Sequence, residues 1–217
     1  MTCNSPLGIL GGTFDPVHHG HLRLALECLE KLQLEGVSLV PACVPPHRPE
    51  PEASPEQRLR MLQLAVAGAA DLRADDREIR RGGVSYTVAT LESLREEYPD
   101  LSLCLILGMD AFRFLHTWHR WTLLPDYAHI IVVDRPGSDA QIQEPEIRQL
   151  LSERVTSDPE QLRRSPAGRI FRVDLPVLDI SSTRIRRSVA AGRDPRYLTP
   201  DNVIAYMKEH RLYHDTE

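Results

Sequence analysis

The run Gly11-Gly12-Thr13-Phe14-Asp15-Pro16-Val17-His18-His19-Gly20-His21-Leu22 carries most of the information about this chain. It follows a short apolar stretch, residues 7–10, which predicts a strand, and we expect the chain to turn at the two glycines. After the turn, helical spacing places five apolar residues on one face: Leu22, Ala25, Leu26, Leu29 and Leu32. A strand, a glycine turn and a helix N-terminus together predict a site for a nucleotide phosphate.

Two histidines lie at the start of this helix. His18 and His21 are three positions apart, so both side chains are expected to point toward the same bound group. Gly20 has no side chain, and we expect a ligand to come close to the backbone there. Two other interpretations remain open: the histidines cap the helix, or they bind zinc.

Charge and composition exclude several classes of protein. The chain has 217 residues and a net charge of -5, whereas general nucleic-acid and membrane binders usually carry a basic excess. No run approaches the ~20 apolar residues of a membrane span, and residues 1–6 show no signal-peptide pattern. The four cysteines lie far apart, which favours free thiols. We therefore expect a cytoplasmic protein that binds neither nucleic acid nor membrane. A monomer or weak homo-oligomer is expected as well, although these features do not determine the oligomeric state.

Strand and helix patterns alternate along the chain. Beyond the first strand and helix, strands are predicted at 37–44, within 72–79, and at 101–107, 128–133 and 169–173; helices are predicted from 55 and at 87–98, 144–154, 182–191 and 200–210. This alternation predicts an α/β fold with a doubly wound parallel sheet and helices on both faces. No repeat or linker is visible, so we expect a single domain, 1–217, with a C-terminal helical part from about 181 packed on it.

Helix-end signals sharpen three of these predictions. Ser54, Pro55 and Gln57 form a capping-box pattern, and the helix after them is expected to bury Leu59, Leu62, Ala65, Val66 and Ala69. Gly192 is expected to end the next-to-last helix, and Thr199 to cap the last one. The polar segment 157–168 is expected to be a surface excursion.

Polar clusters follow several predicted strands, where ligands bind in sheets of this type. They are the glycine and histidine motif, Pro45 to Arg48, Gly108 to Asp110, Arg135 to Gly137 and the run Ile180 to Arg186. Ser181, Ser182 and Thr183, followed by arginines, predict a second anion site, although such residues also serve simply as N-caps. Trp118 and Trp121 are either core aromatics or stack on a flat ring.

These motifs resemble a known family. G-G-T-F-D-P-x-H-x-G-H-L with I-S-S-T-x-I-R is similar to the H-x-G-H nucleotidyltransferase superfamily. Within it, P-P-H-R, S-Y-T, G-x-D and R-P-G in this order resemble the bacterial nicotinate-nucleotide adenylyltransferases, over residues 8–213. The resemblance implies a Rossmann-like fold and a step of NAD biosynthesis: ATP and nicotinate mononucleotide give nicotinate adenine dinucleotide (deamido-NAD) and pyrophosphate, with Mg²⁺.

The resemblance also implies residue roles by matching position. ATP is expected to contact Gly11, Gly12, Thr13, Phe14, His18, Gly20, His21, Ile180, Ser181, Ser182, Thr183 and Arg186. Nicotinate mononucleotide is expected to contact Asp15, His47, Arg48, Tyr86, Thr87, Gly108, Asp110, Trp118 and Arg135. The catalytic residues would be His18, His21 and Arg186. Mg²⁺ is expected to bind through the ATP phosphates rather than through protein side chains.

The chemistry of this reaction fits the residues at hand. A phosphomonoester has a second pKa of about 6, so it is already a nucleophile at neutral pH and needs no general base. The reaction needs charge neutralisation and positioning, which histidines, arginines and helix N-termini supply. We expect His21 to donate to the α-phosphate and His18 to assist in positioning.

Several alternatives stay open at this stage. Within the superfamily, the acceptor is alternatively nicotinamide mononucleotide or phosphopantetheine, or the enzyme is a cytidylyltransferase; length and His18 disfavour the phosphopantetheine enzymes. From another class, the chain is a nucleotide-binding regulator without turnover. Segment 139–164 carries no family motif. One of two loops, 45–55 or 118–126, is expected to become ordered when substrate binds.

Overall fold

The computed structural model describes residues 5–46, 49–134, 142–176 and 178–214. Its strands are β1 (Leu7–Gly12), β2 (Gly36–Pro41), β3 (Leu72–Ala74), β4 (Leu103–Gly108), β5 (His129–Asp134), β6 (Val155–Thr156) and β7 (Ile170–Asp174). Its helices are α1 (His19–Leu32), α2 (Pro55–Val66), α3 (Arg77–Arg81), α4 (Thr87–Glu97), α5 (Met109–Arg113), α6 (Leu124–Tyr127), α7 (Pro145–Arg154), α8 (Gln161–Arg164), α9 (Ser182–Ala190) and α10 (Asp201–Glu209).

These strands form one seven-stranded sheet in the order β3-β2-β1-β4-β5-β7-β6. The pairs β1–β4, β4–β5, β5–β7 and β6–β7 are parallel, and Ile131 of β5 lies in register with Ile106 of β4 and Phe171 of β7. Strands β4 and β5 are almost entirely apolar and buried, as expected of strands covered on both faces. The predicted α/β fold with a doubly wound parallel sheet is confirmed.

The chain divides into two compact units. Unit 1 comprises Met1–Leu10, Glu27–Val37 and Tyr86–Pro176, and unit 2 comprises Gly11–Leu26, Ser38–Ser85 and Val177–Glu217. Unit 2 contains the glycine and histidine motif and the late helices α9 and α10, whereas unit 1 contains β4, β5 and the segment with both tryptophans. The single domain over 1–217, with its packed C-terminal part, remains a prediction.

Helix α2 has the predicted N-terminal cap but differs from the prediction in the residues that it buries. The predicted capping box is confirmed: the Ser54 hydroxyl accepts from the Gln57 backbone N–H, and the Gln57 side chain accepts from the Ser54 backbone N–H. The predicted buried face was wrong in part, because α2 buries Arg58, Met61, Leu62 and Val66. Arginine carries no apolar signal, so periodicity alone could not place it inside.

Four local predictions are corrected by the structure. Only β3 forms within 72–79, and the chain then enters α3. The segment 157–168 contains the short helix α8, which buries Leu162. The turn after β1 does not lie at the two glycines, because β1 continues through Gly12 and the left-handed residue is Phe14, with φ 51°. Thr199 does not cap α10: Pro200 holds the N-cap position, and the Thr199 hydroxyl donates to a carbonyl elsewhere.

None of the helices in the described part of the chain combines the length and the apolar character needed to cross a membrane. The three cysteines that the structure describes, Cys28, Cys43 and Cys104, are free. Burial raises the pKa of Cys28 and of Cys104 to about 12, so both remain neutral thiols within the core.

Candidate active site

The two motif histidines of unit 2 form a stacked pair. The ring centroids of His18 and His21 lie 3.6 Å apart with an interplanar angle of 18°. Phe14 packs edge-on against His21 at 4.9 Å and 77°. The His18 backbone N–H donates to Nδ1 of His21 over 3.3 Å. The structure therefore brings the two histidine rings together. Their contact with a common bound group stays a prediction.

This backbone contact indicates which tautomer a neutral His21 ring adopts. A neutral imidazole carries one proton, and Nδ1 here accepts a hydrogen bond, so the proton is assigned to Nε2. His21 therefore presents an Nε2–H donor. Such a donor can form a hydrogen bond with an acceptor such as a phosphate oxygen.

His18 is held neutral by its surroundings. Its side chain is only 5% exposed, and this burial, followed by the nearby charge of His19, lowers the pKa of His18 to about 4. Within the described residues, Nδ1 of His18 is buried and has no hydrogen-bond partner. A buried ring nitrogen without a hydrogen-bond partner lowers the stability of the folded protein.

Gly20 has a different structural role from the one expected. A Cβ added at Gly20 would lie 3.0 Å from both Cε1 and Nδ1 of His18, and 3.4 Å from the Leu178 carbonyl oxygen. The glycine therefore makes room for the His18 ring, and any larger residue would push that ring away. Contact between Gly20 and ATP stays a prediction.

Asp15 is engaged by the protein on both carboxylate oxygens. It is 3% exposed and accepts from the backbone N–H groups of Glu52 at 2.9 Å and Ala53 at 3.2 Å. The Tyr213 hydroxyl donates to Oδ1 of Asp15 over 2.7 Å. The carboxylate thus ties the motif loop to the segment before α2, and its predicted contact with the mononucleotide remains untested.

Arg186, the predicted phosphate ligand on α9, is held by groups of the same unit. Its Nε donates to Oε1 of Glu52 at 2.6 Å, and its Nη1 donates to the Asp15 carbonyl at 2.8 Å. Oδ2 of the Asp15 carboxylate lies 3.7 Å from the same Nη1. Glu52 is therefore the partner of the Arg186 guanidinium in this structure, and phosphate binding by Arg186 stays a prediction.

The hydroxyl run before α9 has mixed roles. Ser181 is the N-cap of α9, and its side chain accepts from the Arg184 N–H, as the simpler interpretation expected. The Ser182 hydroxyl donates to the Pro16 carbonyl at 2.9 Å, which fixes α9 against the motif loop. Thr183 is exposed, and Ile180 precedes the cap. The N-terminus of α9 keeps its positive end near the loop that carries the histidines.

Arg58 is a central residue that the sequence did not reveal. It is fully buried, and its guanidinium donates to the carbonyls of Thr13 at 2.9 Å, Ala42 at 2.6 Å, Cys43 at 2.9 Å and Ala53 at 3.2 Å. Burial lowers the pKa of Arg58 from its usual value, although arginine stays charged. One side chain thus joins the glycine motif, the segment after β2 and the segment before α2.

Unit 1 contains five of the six described residues predicted for the mononucleotide, and the sixth, Asp15, lies in unit 2. The ring of Tyr86 lies 4.4 Å from the ring of His119 at an angle of 34°. Tyr86 holds the N-cap position of α4, and Thr87 is its first residue. Within the described residues, no side chain caps α4 and its first turn carries no acidic group, so its N–H groups suit an anion.

The remaining predicted residues of unit 1 lie at helix starts and turns. Gly108 ends β4 and is the N-cap of α5, which places Asp110 in the exposed first turn of that helix. Trp118 follows the 3-10 turn Leu115–Thr117 and is half-buried. His119 was not among the predicted residues, and its pairing with Tyr86 adds it to this group. The predicted residues His47, Arg48 and Arg135 lie outside the described residues.

The fold and the histidine-bearing loop define a nucleotidyltransferase. The family model described as cytidylyltransferase-like matches residues 9–188. Solved structures agree in fold: a Plasmodium falciparum nicotinic acid mononucleotide adenylyltransferase complexed with NaAD aligns with a TM-score of 0.71 at 16% identity, covering 97% of this chain and 98% of that one. The structure of a putative nicotinate-nucleotide adenylyltransferase from Vibrio parahaemolyticus aligns with a TM-score of 0.63 at 17% identity, covering 98% of this chain and 97% of that one.

Sequence relatives give the narrower family. A probable nicotinate-nucleotide adenylyltransferase of Marinobacter nauticus is 49% identical over 206 residues, which covers 94% of this chain and 95% of the relative. One from Methylococcus capsulatus is 48% identical over 208 residues, covering 95% and 99%. The chain belongs to the nicotinate-nucleotide adenylyltransferase family.

Proposed function

We propose that this chain transfers the adenylyl group of ATP to nicotinate mononucleotide, forming nicotinate adenine dinucleotide and pyrophosphate in NAD biosynthesis. The observation that carries the proposal is the stacked His18–His21 pair at the start of α1, with Arg186 of α9 held beside the same loop. Membership in the nicotinate-nucleotide adenylyltransferase family supports the choice of substrates.

The reaction is an in-line displacement at the α-phosphorus of ATP. An oxygen of the mononucleotide phosphate forms the new P–O bond, and the bond from the α-phosphorus to the bridging oxygen breaks, so pyrophosphate leaves with both electrons of that bond. Since the attacking phosphate has a second pKa of about 6, it needs no proton removed at neutral pH. The protein must therefore bring two polyanions together and stabilise the charge that develops.

His21 is the proposed donor to the reacting phosphate. Its Nε2–H is fixed by the backbone contact at Nδ1, so the donor is oriented before substrate arrives. The neutral His18 ring stacks against the His21 ring and helps to position it. Because His18 is neutral, it adds no positive charge that would compete with Mg²⁺. These roles make His18 and His21 the proposed catalytic pair.

The β- and γ-phosphates are assigned to α9. Its N-terminus contributes backbone N–H groups, Thr183 contributes an exposed hydroxyl, and Arg186 contributes a guanidinium once Glu52 is displaced. Ser182 acts mainly by holding the helix to the Pro16 carbonyl. The glycine-motif backbone from Gly11 to Phe14 would contact the rest of ATP.

The nicotinate ring and its carboxylate are assigned to unit 1. The aromatic rings of Tyr86, His119 and Trp118 offer flat surfaces for stacking. The N-terminus of α4 offers N–H donors, which suit a carboxylate, whereas an amide would leave its own donor unmatched. Asp110 is an exposed acceptor for a ribose hydroxyl. This donor set favours the acid over the amide.

Magnesium fits this arrangement as a partner of the triphosphate. In the described part of the chain, no three His, Cys, Asp or Glu side chains are grouped as a metal site. Mg²⁺ commonly binds through substrate phosphates with few protein ligands, and there it would neutralise charge on the leaving pyrophosphate. Cytoplasmic location and the monomeric or weakly oligomeric state stay predictions.

A direct test follows the products. Purified protein is incubated with ATP, Mg²⁺ and nicotinate mononucleotide, and phosphorus NMR with mass spectrometry identifies the products, with His21→Ala as the matched control. Nicotinate adenine dinucleotide and pyrophosphate in equal amounts, lost in the control, are the expected result. Binding of ATP by calorimetry without either product would instead make the chain a nucleotide-binding regulator and overturn the proposal.

A further inference from the structure

The backbone on both sides of His18 is held by two consecutive residues near the C-terminus of unit 2. The Thr199 hydroxyl donates to the Val17 carbonyl at 2.7 Å, directly before His18. The Leu198 carbonyl accepts from the His19 N–H at 3.0 Å, directly after it. Thr199 is 1% exposed, so no water competes for its hydroxyl. The two residues Leu198 and Thr199 are called the brace below.

The brace lies in a turn that begins at Pro195 and leads into α10. The Leu198 N–H donates to the Pro195 carbonyl at 3.1 Å, and Pro200 follows Thr199 at the N-cap of α10. Tyr197 has a left-handed φ of 66°, which costs a bulky residue about 1 kcal/mol or more. Its ring is 83% exposed, so burial of that ring does not offset the cost. Such strain is retained where the geometry of the neighbouring backbone matters.

The two contacts act on different groups of the same loop. The His19 N–H opens α1 and would otherwise lack an intrahelical acceptor, so the Leu198 carbonyl takes the place of a capping side chain. The Val17 carbonyl belongs to the peptide that joins Val17 to His18. The His18 N–H, at the other end of that peptide, donates to Nδ1 of His21. A shift of this one peptide therefore moves both histidines.

We propose that Thr199, acting with the Leu198 carbonyl, is a positioning residue for adenylyl transfer: it fixes the peptide that sets the His18–His21 stack and the orientation of the His21 donor. The inference rests on the proposed function. Thr199 touches no reacting atom, and its effect is transmitted through Val17 and His18. A misplacement of about 1 Å in a catalytic group can cost about 10²-fold in rate, so a single lost hydrogen bond here is measurable.

The first test uses a matched pair of variants. Thr199→Val keeps the shape and removes the hydroxyl, whereas Thr199→Ser keeps the hydroxyl. We expect Thr199→Val to lower kcat about 10-fold or more with less than about 3-fold change in the KM for ATP, and Thr199→Ser to stay within about 3-fold of wild type in both. If the valine methyl group prevents folding, Thr199→Ala, which leaves the space open, takes its place.

The second test asks whether the effect passes through the histidine. In a His21→Ala background we expect the same Thr199 substitution to change kcat by less than about 2-fold, because both the stack and the donor that it positions are gone. An equal fractional loss of kcat in both backgrounds would mean a general structural role and would overturn the proposal. A serine variant as impaired as the valine variant would overturn it as well.

The third test does not depend on turnover. Amide hydrogen exchange at His19 is measured in the ligand-free protein, and we expect it to become faster in Thr199→Val and to stay unchanged in Thr199→Ser. If wild-type protein forms no dinucleotide but the exchange result holds, the proposed function fails while the structural coupling stands. Wild-type kcat together with unchanged His19 exchange in Thr199→Val would refute the brace itself.

Discussion

His18 and His21 stack with ring centroids 3.6 Å apart, and the backbone N–H of His18 donates to the ring of His21. The two histidines thus have unequal roles. His18 is buried and neutral, whereas His21 accepts a hydrogen bond at Nδ1, which assigns the proton of its neutral ring to Nε2. The i, i+3 spacing identifies this pair in the sequence, and in the structure the two rings pack against each other. We propose that the difference between the two rings determines their separate roles.

Stability is expected to depend on pH through His18. Its pKa falls from 6.5 in the unfolded chain to about 4 in the folded one, because burial disfavours the charged ring. Above pH 6.5 both states are neutral at this residue, and as pH falls toward 4 the unfolded state takes up the proton first. Because the pKa of His18 in the folded protein is about 4, we expect the free energy of unfolding to fall by about 2–3 kcal/mol between pH 7 and pH 4 through this residue.

Urea unfolding of wild type and His18→Gln at each pH isolates this contribution. Burial also lowers the pKa of His129, which has the same sign, but His129 is present in both proteins and cancels in the difference. The difference between the two proteins in the free energy of unfolding should change as the pH falls from about 6.5 to about 4. A constant difference across that pH range would show that His18 titrates normally in the folded protein.

His21 is expected to supply transition-state stabilisation through one specific nitrogen. His21→Ala should lower kcat by about 10²–10³-fold, the usual cost of one preorganised donor. His21→Gln places an amide N–H near the position of Nε2 and should recover about 10-fold of that loss, whereas His21→Asn, whose amide sits near Nδ1, should not. Steady-state kinetics with saturating substrates decides between them, and near-normal kcat in His21→Ala would remove the assignment.

Glu52 is expected to compete with ATP for Arg186. Their contact at 2.6 Å must break before the guanidinium binds a phosphate, and Glu52 is half exposed, so the pair contributes little to stability. Glu52→Gln should therefore tighten ATP binding by about two- to five-fold, the equivalent of about 0.4–1 kcal/mol. Arg186→Gln should weaken ATP binding by about 10-fold or more.

Glu50→Gln provides the control for net charge, because Glu50 is exposed and lies two positions away. Its ATP affinity, measured by calorimetry beside the other two variants, should equal that of wild type. Weaker ATP binding in Glu52→Gln would show that Glu52 supports the site instead of competing for it.

Arg58 is expected to be essential for stability. Four carbonyls accept from its guanidinium in a fully buried position, and lysine cannot reach all of them. Arg58→Lys should therefore lower the free energy of unfolding by about 2–4 kcal/mol, since buried acceptors lose their partners. Arg60→Lys, on the exposed side of the same helix, is the matched control and should stay within about 0.5 kcal/mol of wild type in urea unfolding. Equal stability of the two variants would contradict this role.

Local sequence patterns predicted the elements whose determinants are themselves local. The Ser54 capping box involves residues within one turn, and apolar runs such as β4 and β5 identify themselves by composition. The histidine motif could likewise be located, because its spacing brings His18, directly before α1, against His21 in the first turn of that helix.

Long-range contacts were beyond such patterns. The Thr199 hydroxyl looked like a helix cap because threonine favours caps, but its acceptor lies 182 positions away at Val17. Arg58 resembled a surface residue because arginine usually is one, and only the carbonyls that converge on it from separate segments make burial favourable. Gly20 was assigned to a ligand, whereas the tight contact is with the His18 ring.

The choice of nicotinate over nicotinamide mononucleotide is the central claim, and one measurement tests it directly. Pyrophosphate release with ATP and Mg²⁺ is followed side by side with the two mononucleotides, and kcat/KM is compared. We predict a preference for the acid of about 100-fold or more, equivalent to about 2.7 kcal/mol, because the backbone N–H groups at the α4 N-terminus donate and cannot accept from an amide. Comparable rates with both mononucleotides would contradict the assigned pocket while leaving the adenylyl-transfer chemistry in place.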